Sequence, residues 1–323
     1  IVQQALLWVL NCVYEQDFLG FSYGFRVGRD QHDALDALWV GLVDRKVNWV
    51  LDADIRGFFD TLDHEWLLKF IEHRIADRRV LRLIAKWLRA GVSEDGQWSP
   101  TKVGTPQGAV ISPLLANVYL HYVFDLWVEQ WRKTQAQGDV IVVRYADDFV
   151  LGFQHREEAE RFLQELRERL GRFGLSLHAD KTRLIEFGRF ANVQRRQRGQ
   201  GKPETFNFLG FTHLSAKTRR GGFTIRRQTI ATRLRDKLRS LRDVLWRRRH
   251  ESTKTLGKWL GQVVRGWLAF HAVPSNFAAL KRFVRQVRWH WRRALRRCGQ
   301  RGGLRWERFT LLADRWLPRP RIL

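Results

Sequence analysis

Short strand-like segments that carry carboxylates constrain the fold of this 323-residue chain more than any other feature. From residue 49 to 55, the apolar side chains at positions 49, 51, 53 and 55 alternate with Val50, Asp52 and Asp54. This is the pattern of a strand with one polar side. Residues 140–153 hold two apolar runs around Asp147 and Asp148, which predicts a hairpin with acids at its tip. Burying an unpaired carboxylate costs several kcal/mol, so acids in such places need a compensating cation or metal.

Most of the remaining body has the apolar spacing of amphipathic helices. The predicted helices span residues 2–15, 32–43, 64–75, 79–90, 112–131 and 157–172. Gly and Pro punctuate residues 91–108, which predicts a loop. Residues 189–203 are polar and basic without periodicity, which predicts an exposed loop or a disordered insertion. Helices combined with a few acid-bearing strands make this body α+β.

The charge of the chain is unevenly distributed. The net charge is +25, but residues 1–213 hold 28 basic and 28 acidic residues, whereas residues 214–323 hold 30 basic and 5 acidic. We therefore predict a boundary near residue 214 between a charge-balanced body and a basic appendage. Such an excess of cations fits a polyanion, either nucleic acid or an anionic membrane. No apolar run approaches the roughly 18 to 20 residues of a membrane span, so we set the membrane aside.

The appendage has a helical pattern from residue 232 onward. Between residues 279 and 297, apolar side chains occupy one face of the predicted helix and cations the other. The cations include Lys281, Arg285, Arg288 and Arg292. Cys12 and Cys298 are far apart and lack paired Cys/His spacing, so neither a disulfide framework nor a structural zinc site is expected, and a reducing compartment fits.

The three acids suit divalent-metal chemistry. Mg²⁺ takes hard oxygen ligands and prefers a few carboxylates together with substrate phosphates. Two such ions, roughly 3.5 to 4 Å apart, can activate an attacking hydroxyl and stabilise the leaving oxygen of a phosphoryl transfer. The alternative is structural: an Asp-Asp pair in a hairpin is often a solvated turn, and Asp54 could cap the segment that follows it.

Six blocks of the chain, taken in order, resemble the motifs of reverse transcriptases. They are residues 22–35, 54–64, 104–117, 145–148, 178–182 and 208–211. Tyr145-Ala146-Asp147-Asp148 matches the YADD box of that family, and the block at 22–35 is similar to one that is typical of group II intron-encoded proteins. The stretch from Arg265 to His271 resembles a block of their maturase region, called domain X. The agreement in order and spacing extends over nearly the whole chain.

This resemblance implies an active site. Asp54 and Asp147 would be ligands of two Mg²⁺ ions, with Mn²⁺ as an alternative, and Asp148 would adjoin them in the metal site. Lys181 would lie near the departing pyrophosphate, where an ammonium could donate a proton or neutralise charge. Phe59 would be the steric gate that selects dNTP over NTP. The dNTP would also meet two residues of the block at 104–117, Gln107 and Gly108.

The resemblance also implies contacts with nucleic acid. Tyr145 would touch the template or primer backbone, and Arg26 and Arg29 would bind template phosphate. Phe208, Leu209 and Gly210 would form a primer grip, with a hairpin corner in the core as the structural alternative. In the basic appendage, phosphate contacts would come from Arg265, Lys281, Arg285, Arg288 and Arg292. Binding through many cations predicts strong salt dependence.

The implied architecture is a right-hand polymerase. Residues 1–213 would form the palm, an antiparallel sheet with helices and partial fingers, and residues 214–323 a basic, all-helical thumb and maturase domain. Compared with the family, the chain begins after the fingers segment that grips the triphosphate and lacks the HNH endonuclease of some relatives. Target second-strand cleavage is therefore not expected of it.

The implied function is RNA-directed DNA polymerase activity of a group II intron-type retroelement. The partners would be an RNA template, a DNA primer or target, dNTPs, and the intron RNA, whose splicing and mobility the protein would assist. Its location would be the bacterial cytoplasm, within a ribonucleoprotein. One rival is a non-catalytic RNA-binding splicing factor, and others are reverse transcriptases of retrons, diversity-generating elements or CRISPR systems. The block at 265–271 favours the intron family.

Overall fold

The structure is a computed structural model that describes residues 1–89, 92–94, 97–99, 104, 109–296 and 304–322. Its α-helices are α1 Val2–Tyr14, α2 Gln31–Asp44, α3 Phe58–Thr61, α4 His64–Glu72, α5 Arg78–Arg89, α6 Ser112–Leu120, α7 Leu126–Thr134, α8 Arg156–Gly171, α9 Ala191–Gln197, α10 Ala231–Arg247, α11 Thr253–His271, α12 Phe277–Arg296 and α13 Trp306–Trp316. Its strands are β1 Trp49–Asp54, β2 Val92–Glu94, β3 Gln97–Ser99, β4 Val140–Tyr145, β5 Asp148–Phe153, β6 Arg183–Glu186, β7 Phe206–Phe208, β8 Phe211–Lys217 and β9 Phe223–Thr229.

Four strands form the sheet that carries the acids. Their order is β4-β5-β1-β6, and β5 and β6 both pair antiparallel to β1. The register places Asp54 of β1 directly opposite Asp148 of β5, and Tyr145 of β4 opposite the same residue. Because cross-strand partners lie on the same face of a sheet, these three side chains share one face.

The other face of the sheet builds the core of this part of the chain. Leu51 and Ala53 of β1 and the phenylalanines of β5 pack with helices α6 and α8 in one continuous apolar cluster. Strand alternation explains the division, since residues 51, 53 and 55 point into the cluster while Asp52 and Asp54 point away from it. The core therefore fixes which face the acids occupy.

A π-helical turn joins α6 and α7. It spans His121–Asp125, so the continuous helix predicted over residues 112–131 is wrong in this respect. The extra residue per turn changes which side chains face inward, and Asp125 becomes completely buried. Turns of this kind often occur at functional sites.

The chain folds into two compact units. The first comprises residues 1–209 and 217–224, and the second comprises residues 210–216 and 225–323. The boundary predicted near residue 214 falls inside β8. The second unit contains helices α10–α13 around a core that includes Leu256, Leu260, Val287 and Trp291. Strand β8 lies next to β9.

The expectation of a loop or disordered insertion at 189–203 is wrong over residues 191–197, which form α9. Arg195 and Arg198 reach from this helix to Glu186, a carboxylate that is nearly buried at the end of β6. The ion pairs compensate the buried charge, which explains why a polar, basic stretch is ordered. The loop expected at 91–108 is wrong over residues 92–94 and 97–99, which form β2 and β3. Strands β6 to β9 were not predicted either, because each is short or rich in polar side chains.

Candidate active site

The three predicted acids meet at one end of the sheet. Asp54 ends β1, Asp148 begins β5, and Asp147 lies in the two-residue turn that connects β4 to β5. A fourth carboxylate, Asp52, lies two residues before Asp54 on the same face and forms an ion pair of 3.4 Å with Arg183 of β6. Asp52 is visible in the strand pattern of the sequence, but no role was predicted for it.

Each carboxylate in this cluster disfavours the ionised form of its neighbours. Burial raises the pKa of the Asp148 carboxyl to about 7. The negative charges of Asp52, Asp147 and Asp54 add to this shift. Burial and the charge of Asp54 also raise the pKa of Asp147. The backbone N–H of Leu209 donates a hydrogen bond to Asp148 and partly offsets the shift. A cluster with these properties favours a cation.

Lys181 supplies one cation to the cluster. Its Nζ lies 2.6 Å from Oδ2 of Asp54, and this hydrogen bond raises the pKa of the lysine. The Lys181 side chain is 61% exposed and the Asp54 side chain 29% exposed, so the pair lies at the surface of the site. An exposed pair is worth little in stability and can exchange partners when a ligand arrives.

The donor set fits a divalent cation that arrives with substrate phosphates. Within the part of the chain that the structure describes, no three His, Cys, Asp or Glu side chains are gathered closely enough to hold a metal ion by themselves. Mg²⁺ is usually held in proteins by one or two carboxylates, with water and phosphate oxygens completing its shell. Asp54, Asp147 and Asp148 lie at one end of the sheet, and together they would supply the one or two carboxylates that such an ion takes.

The turn that holds Asp147 is strained. Ala146, its first residue, has φ of 58°, a left-handed conformation that a side chain disfavours. The adjacent loop comes so close that a Cβ on Gly24 would overlap the backbone nitrogen of Ala146. Strain of this kind persists only where the surroundings hold the backbone in place.

Arg144 is the main support of this turn. The side chain is completely buried and forms a two-pronged ion pair with Asp125, with distances of 2.7 and 2.6 Å. The same guanidinium donates to the carbonyl oxygen of Ala146 at 2.9 Å and to Oδ1 of Asn117 at 3.0 Å. It therefore connects the strained turn to α6 and to the π-helical turn.

The loop at residues 21–29 completes the support. Ser22 accepts a hydrogen bond from Arg144 through Oγ, and the N–H of Tyr23 donates to the Arg144 carbonyl. Asn117 Nδ2 donates to the carbonyl of Gly24 at 2.7 Å. The network of Arg144, Asp125 and Asn117 was not predicted, because an arginine beside a YADD box gives no sign of being buried.

The structure gives different surroundings to Arg26 and Arg29. Arg26 is buried, and its guanidinium bonds to Glu15 and to the carbonyls of Leu19 and Ser22. A side chain committed in this way cannot reach a template phosphate, so the prediction for Arg26 is wrong in this structure. Arg29 is half-buried against the ring of Tyr23, and its guanidinium donates to the carbonyls of Gly20 at 2.5 Å and Ser22 at 3.3 Å, so its phosphate contact stays a prediction.

Phe59 lies in α3, the short helix that follows β1 and Asp54 along the chain, and packs against the apolar cluster. It is half-buried, in contrast to Phe58, which is 2% exposed and packs in the core. Gly104 comes close to the carbonyl of Phe59, and its N–H donates to Leu62. The block at 104–117 therefore begins next to the predicted gate, while Gln107 and Gly108 lie outside the described residues.

The predicted primer grip is a tight hairpin. Leu209 and Gly210 have φ of 47° and 88°, and together they connect β7 to β8. Phe208 is 1% exposed, so its ring belongs to the core and is not available to a primer. The hairpin contributes a hydrogen bond to the acids, which the backbone N–H of Leu209 donates to Asp148.

In the second unit, the predicted phosphate ligands divide into two groups. Lys281 and Arg285 are exposed on α12. Arg288 pairs with Asp314 at 3.0 Å, and Arg292 donates to the carbonyl of Leu304 and stacks on Trp306, so both contribute to packing against α13. Exposed Arg265 lines a cavity of about 370 Å³ with Arg319 and Arg321. Among the described helices, none is both long and apolar enough to cross a membrane.

Comparisons with known proteins agree with this geometry. A family model described as "Reverse transcriptase (RNA-dependent DNA polymerase)" matches residues 1–213. Protein YkfC of Escherichia coli (strain K12) is 30% identical over 287 residues, which cover 80% of this chain and 71% of YkfC. The group II intron-encoded protein LtrA of Lactococcus lactis subsp. cremoris is 40% identical over 121 residues, 38% of this chain and 20% of LtrA.

Among solved structures, apo telomerase from Candida tropicalis has a TM-score of 0.54 at 13% identity, over 91% of this chain and 48% of the telomerase chain. Similarity at this identity shows a shared fold. The family match and the similarity to YkfC show that the chain belongs to the reverse transcriptase family.

Proposed function

We propose that this chain copies RNA into DNA by adding dNTPs to a primer, with two Mg²⁺ ions at Asp54, Asp147 and Asp148. The observation that carries the proposal is the register of β1 and β5, which sets Asp54 opposite Asp148 with Asp147 in the adjoining turn. When bound, the metal ions would activate the primer hydroxyl and stabilise the leaving oxygen.

The protein groups have distinct tasks. The three carboxylates offer oxygens on one surface, and the rigid turn around Ala146 keeps Asp147 in place. Lys181 keeps its proton beside Asp54, so its ammonium is available to neutralise the pyrophosphate as it departs or to donate a proton to it. Phe59, half-buried beside the start of the block at 104–117, would exclude a ribose 2′-hydroxyl.

The second unit would hold nucleic acid without reading its sequence. Exposed Lys281, Arg285 and Arg265 lie in the region that carries the whole excess of positive charge. Cations of this kind bind phosphates and release counterions. We propose that this unit binds the intron RNA, and that the protein assists splicing and retromobility within a cytoplasmic ribonucleoprotein.

Primer extension tests the polymerase. The 323-residue protein is incubated with poly(rA)/oligo(dT), dTTP and Mg²⁺, and compared with Asp147→Ala and with Asp44→Ala, which removes an exposed carboxylate at the end of α2. We expect extension by the parent and by Asp44→Ala, and a loss of at least a hundredfold in Asp147→Ala. Equal activity of the parent and Asp147→Ala would overturn the metal assignment. RNA binding without extension by any variant would favour the splicing-factor rival.

A further inference from the structure

Phe25 is an exposed aromatic residue in a strained conformation. Its side chain is 56% exposed, and its φ of 58° lies in the left-handed region. A bulky residue is rare in that region, and the conformation costs on the order of 1–3 kcal/mol. The exposed ring recovers little of this cost through burial. The fold therefore holds Phe25 in place at an energetic expense that packing does not explain.

The backbone on both sides of Phe25 is fixed. The carbonyl of Gly24 accepts a hydrogen bond from Asn117, and the N–H of Tyr23 donates to Arg144, which is completely buried. On the other side, Arg26 is buried and bound to Glu15. The Phe25 ring is thus presented on a rigid loop, which lowers the entropy lost when a ligand stacks on it.

The ring lies next to Tyr145, which is adjacent to the acids in the sheet. Its centroid is 6.4 Å from the ring centroid of Tyr145, with 45° between the planes. Tyr145 directly precedes the strained turn and is the cross-strand partner of Asp148. Two aromatic side chains therefore adjoin the carboxylates on the β4 side of the sheet.

The location of charge indicates which part of a substrate meets these rings. Lys181 and Arg183 lie on the side of the cluster formed by β1 and β6, the side away from β4. Cations there suit the triphosphate and pyrophosphate. The β4 side offers the rings of Phe25 and Tyr145, which suit the faces of nucleobases, with one cation nearby in the same loop, Arg29 against the Tyr23 ring.

We propose that Phe25 and Tyr145 form a stacking site for a nucleobase of the primer–template duplex beside the primer 3′ end. This site rests on the proposed polymerase function and adds a contact that holds the end of the duplex over the carboxylates. Base–aromatic stacking of this kind is insensitive to base identity, as a polymerase requires.

Fluorescence of 2-aminopurine tests the site without requiring catalysis, because stacking quenches this base. A template–primer carries 2-aminopurine at the primer 3′ end, and a second one carries it ten nucleotides upstream. We compare the parent with Phe25→Gly, Phe25→Leu, Phe25→Trp and Val27→Ala. Val27 is the control because it is an exposed apolar side chain of the same loop, 68% accessible.

We expect the parent to quench the terminal probe and not the upstream probe. Phe25→Gly and Phe25→Leu should abolish that quenching and weaken duplex binding about tenfold, while Phe25→Trp and Val27→Ala should keep both. Phe25→Gly should also melt at or above the parent temperature, because glycine tolerates the left-handed conformation.

Quenching and affinity that are unchanged in Phe25→Gly and Phe25→Leu would overturn the site. If Phe25→Gly fails to fold, Phe25→Leu decides, since it keeps the bulk of the side chain and removes the ring. Terminal quenching that depends on Phe25 in a protein that extends no primer would support the stacking site and count against the polymerase. Extension by the parent without terminal quenching would support the polymerase and count against the stacking site.

Discussion

At the scale of single residues, the ionised side chain of Asp148 lowers the stability of the folded protein. Its carboxyl is largely buried among three other carboxylates, which raises its pKa to about 7. A raised pKa means that the contribution of Asp148 to stability is fully present below its unfolded value near 4 and is lost as the pH rises through 7. The repulsion among these carboxylates therefore lowers the stability of the folded protein at neutral pH and above.

We therefore predict that Asp148→Asn stabilises the metal-free protein. In EDTA at pH 8 its melting temperature should exceed that of the parent by about 2–4 °C for each kcal/mol recovered. The difference should shrink as the pH falls from 7 towards 4. Thermal melts across this range measure it, with Asp44→Asn as the exposed control.

Adding Mg²⁺ should narrow the gap between the parent and Asp148→Asn, because the ion stabilises a protein that binds it in the folded state. A difference in melting temperature that is independent of pH would contradict the role given to the clustered charges. So would a gain in Asp44→Asn equal to that in Asp148→Asn.

Arg144 has the opposite effect, since it stabilises both the fold and the turn. Arg144→Met leaves Asp125 buried without its partner and should cost about 3–5 kcal/mol. The double variant Arg144→Met/Asp125→Leu removes both charges and should recover most of that stability. It should not recover primer extension, because the Ala146 carbonyl still lacks its donor.

Chemical denaturation and primer extension test this pair of outcomes. Arg156→Met is the control, because Arg156 forms an exposed ion pair with Glu160 that should be worth less than about 1 kcal/mol. Full extension activity in the stable double variant would show that Arg144 acts only on stability.

The residues differ in how far the sequence reveals them. Asp54 and Asp147 are visible because acids within apolar strands contradict simple burial. The burial of Arg144 cannot be predicted from the local sequence, because it depends on Asp125 and Asn117, which lie 19 and 27 residues away along the chain. Arg26 was predicted to bind phosphate for a related reason. A glycine-rich block suggests an exposed loop, and the ion-pair partner Glu15 lies outside that block, at the end of α1.

At the scale of elements, the close approach of the 21–29 loop to the β4–β5 turn is what fixes the site. We predict that Gly24→Ala displaces the turn, since its Cβ would overlap backbone atoms of Ala146 and lie 2.9 Å from the Tyr145 carbonyl carbon. Backbone atoms cannot yield as a flexible side chain does. We expect at least a tenfold loss of primer extension and about 1–3 kcal/mol of stability.

Gly20→Ala is the matched control for Gly24→Ala. It adds the same methyl group in the same segment, where nothing lies within 4 Å of it. Its extension rate and melting temperature should equal those of the parent or rise slightly. Equal rates in both variants would show that the turn does not depend on this contact.

Long periodic helices were the elements best predicted from sequence. Helix α8 spans Arg156–Gly171 against a predicted 157–172, and α2 spans Gln31–Asp44 against a predicted 32–43. The interruption between α6 and α7 was missed, because a π-helical turn leaves the apolar spacing on either side intact. Helix α9 was missed because ion pairs to Glu186, and not an apolar face, hold it.

At the scale of the whole molecule, charge and chemistry are divided between the two units. The acids, Lys181 and the Arg144 network all belong to the first, in which basic and acidic residues nearly balance. The second holds the excess of arginine, and much of it is committed to packing, as Arg288 and Arg292 illustrate. Sequence composition shows how the charge is distributed along the chain but not which cations remain free for phosphate.

The exposed cations of α12 give the last prediction. Replacing Lys281, Arg282 and Arg285 by Gln should weaken the binding of single-stranded RNA and reduce the slope of log K against log salt concentration by about 2, because each phosphate contact contributes about 0.7. Replacing Arg156, Arg161 and Arg167 of α8 removes the same charge from the first unit and should change the slope by less than about half as much. Fluorescence anisotropy titrations at several salt concentrations measure both slopes. Equal changes in the two triple variants would mean that RNA responds to net charge alone, and that α12 is not its docking surface.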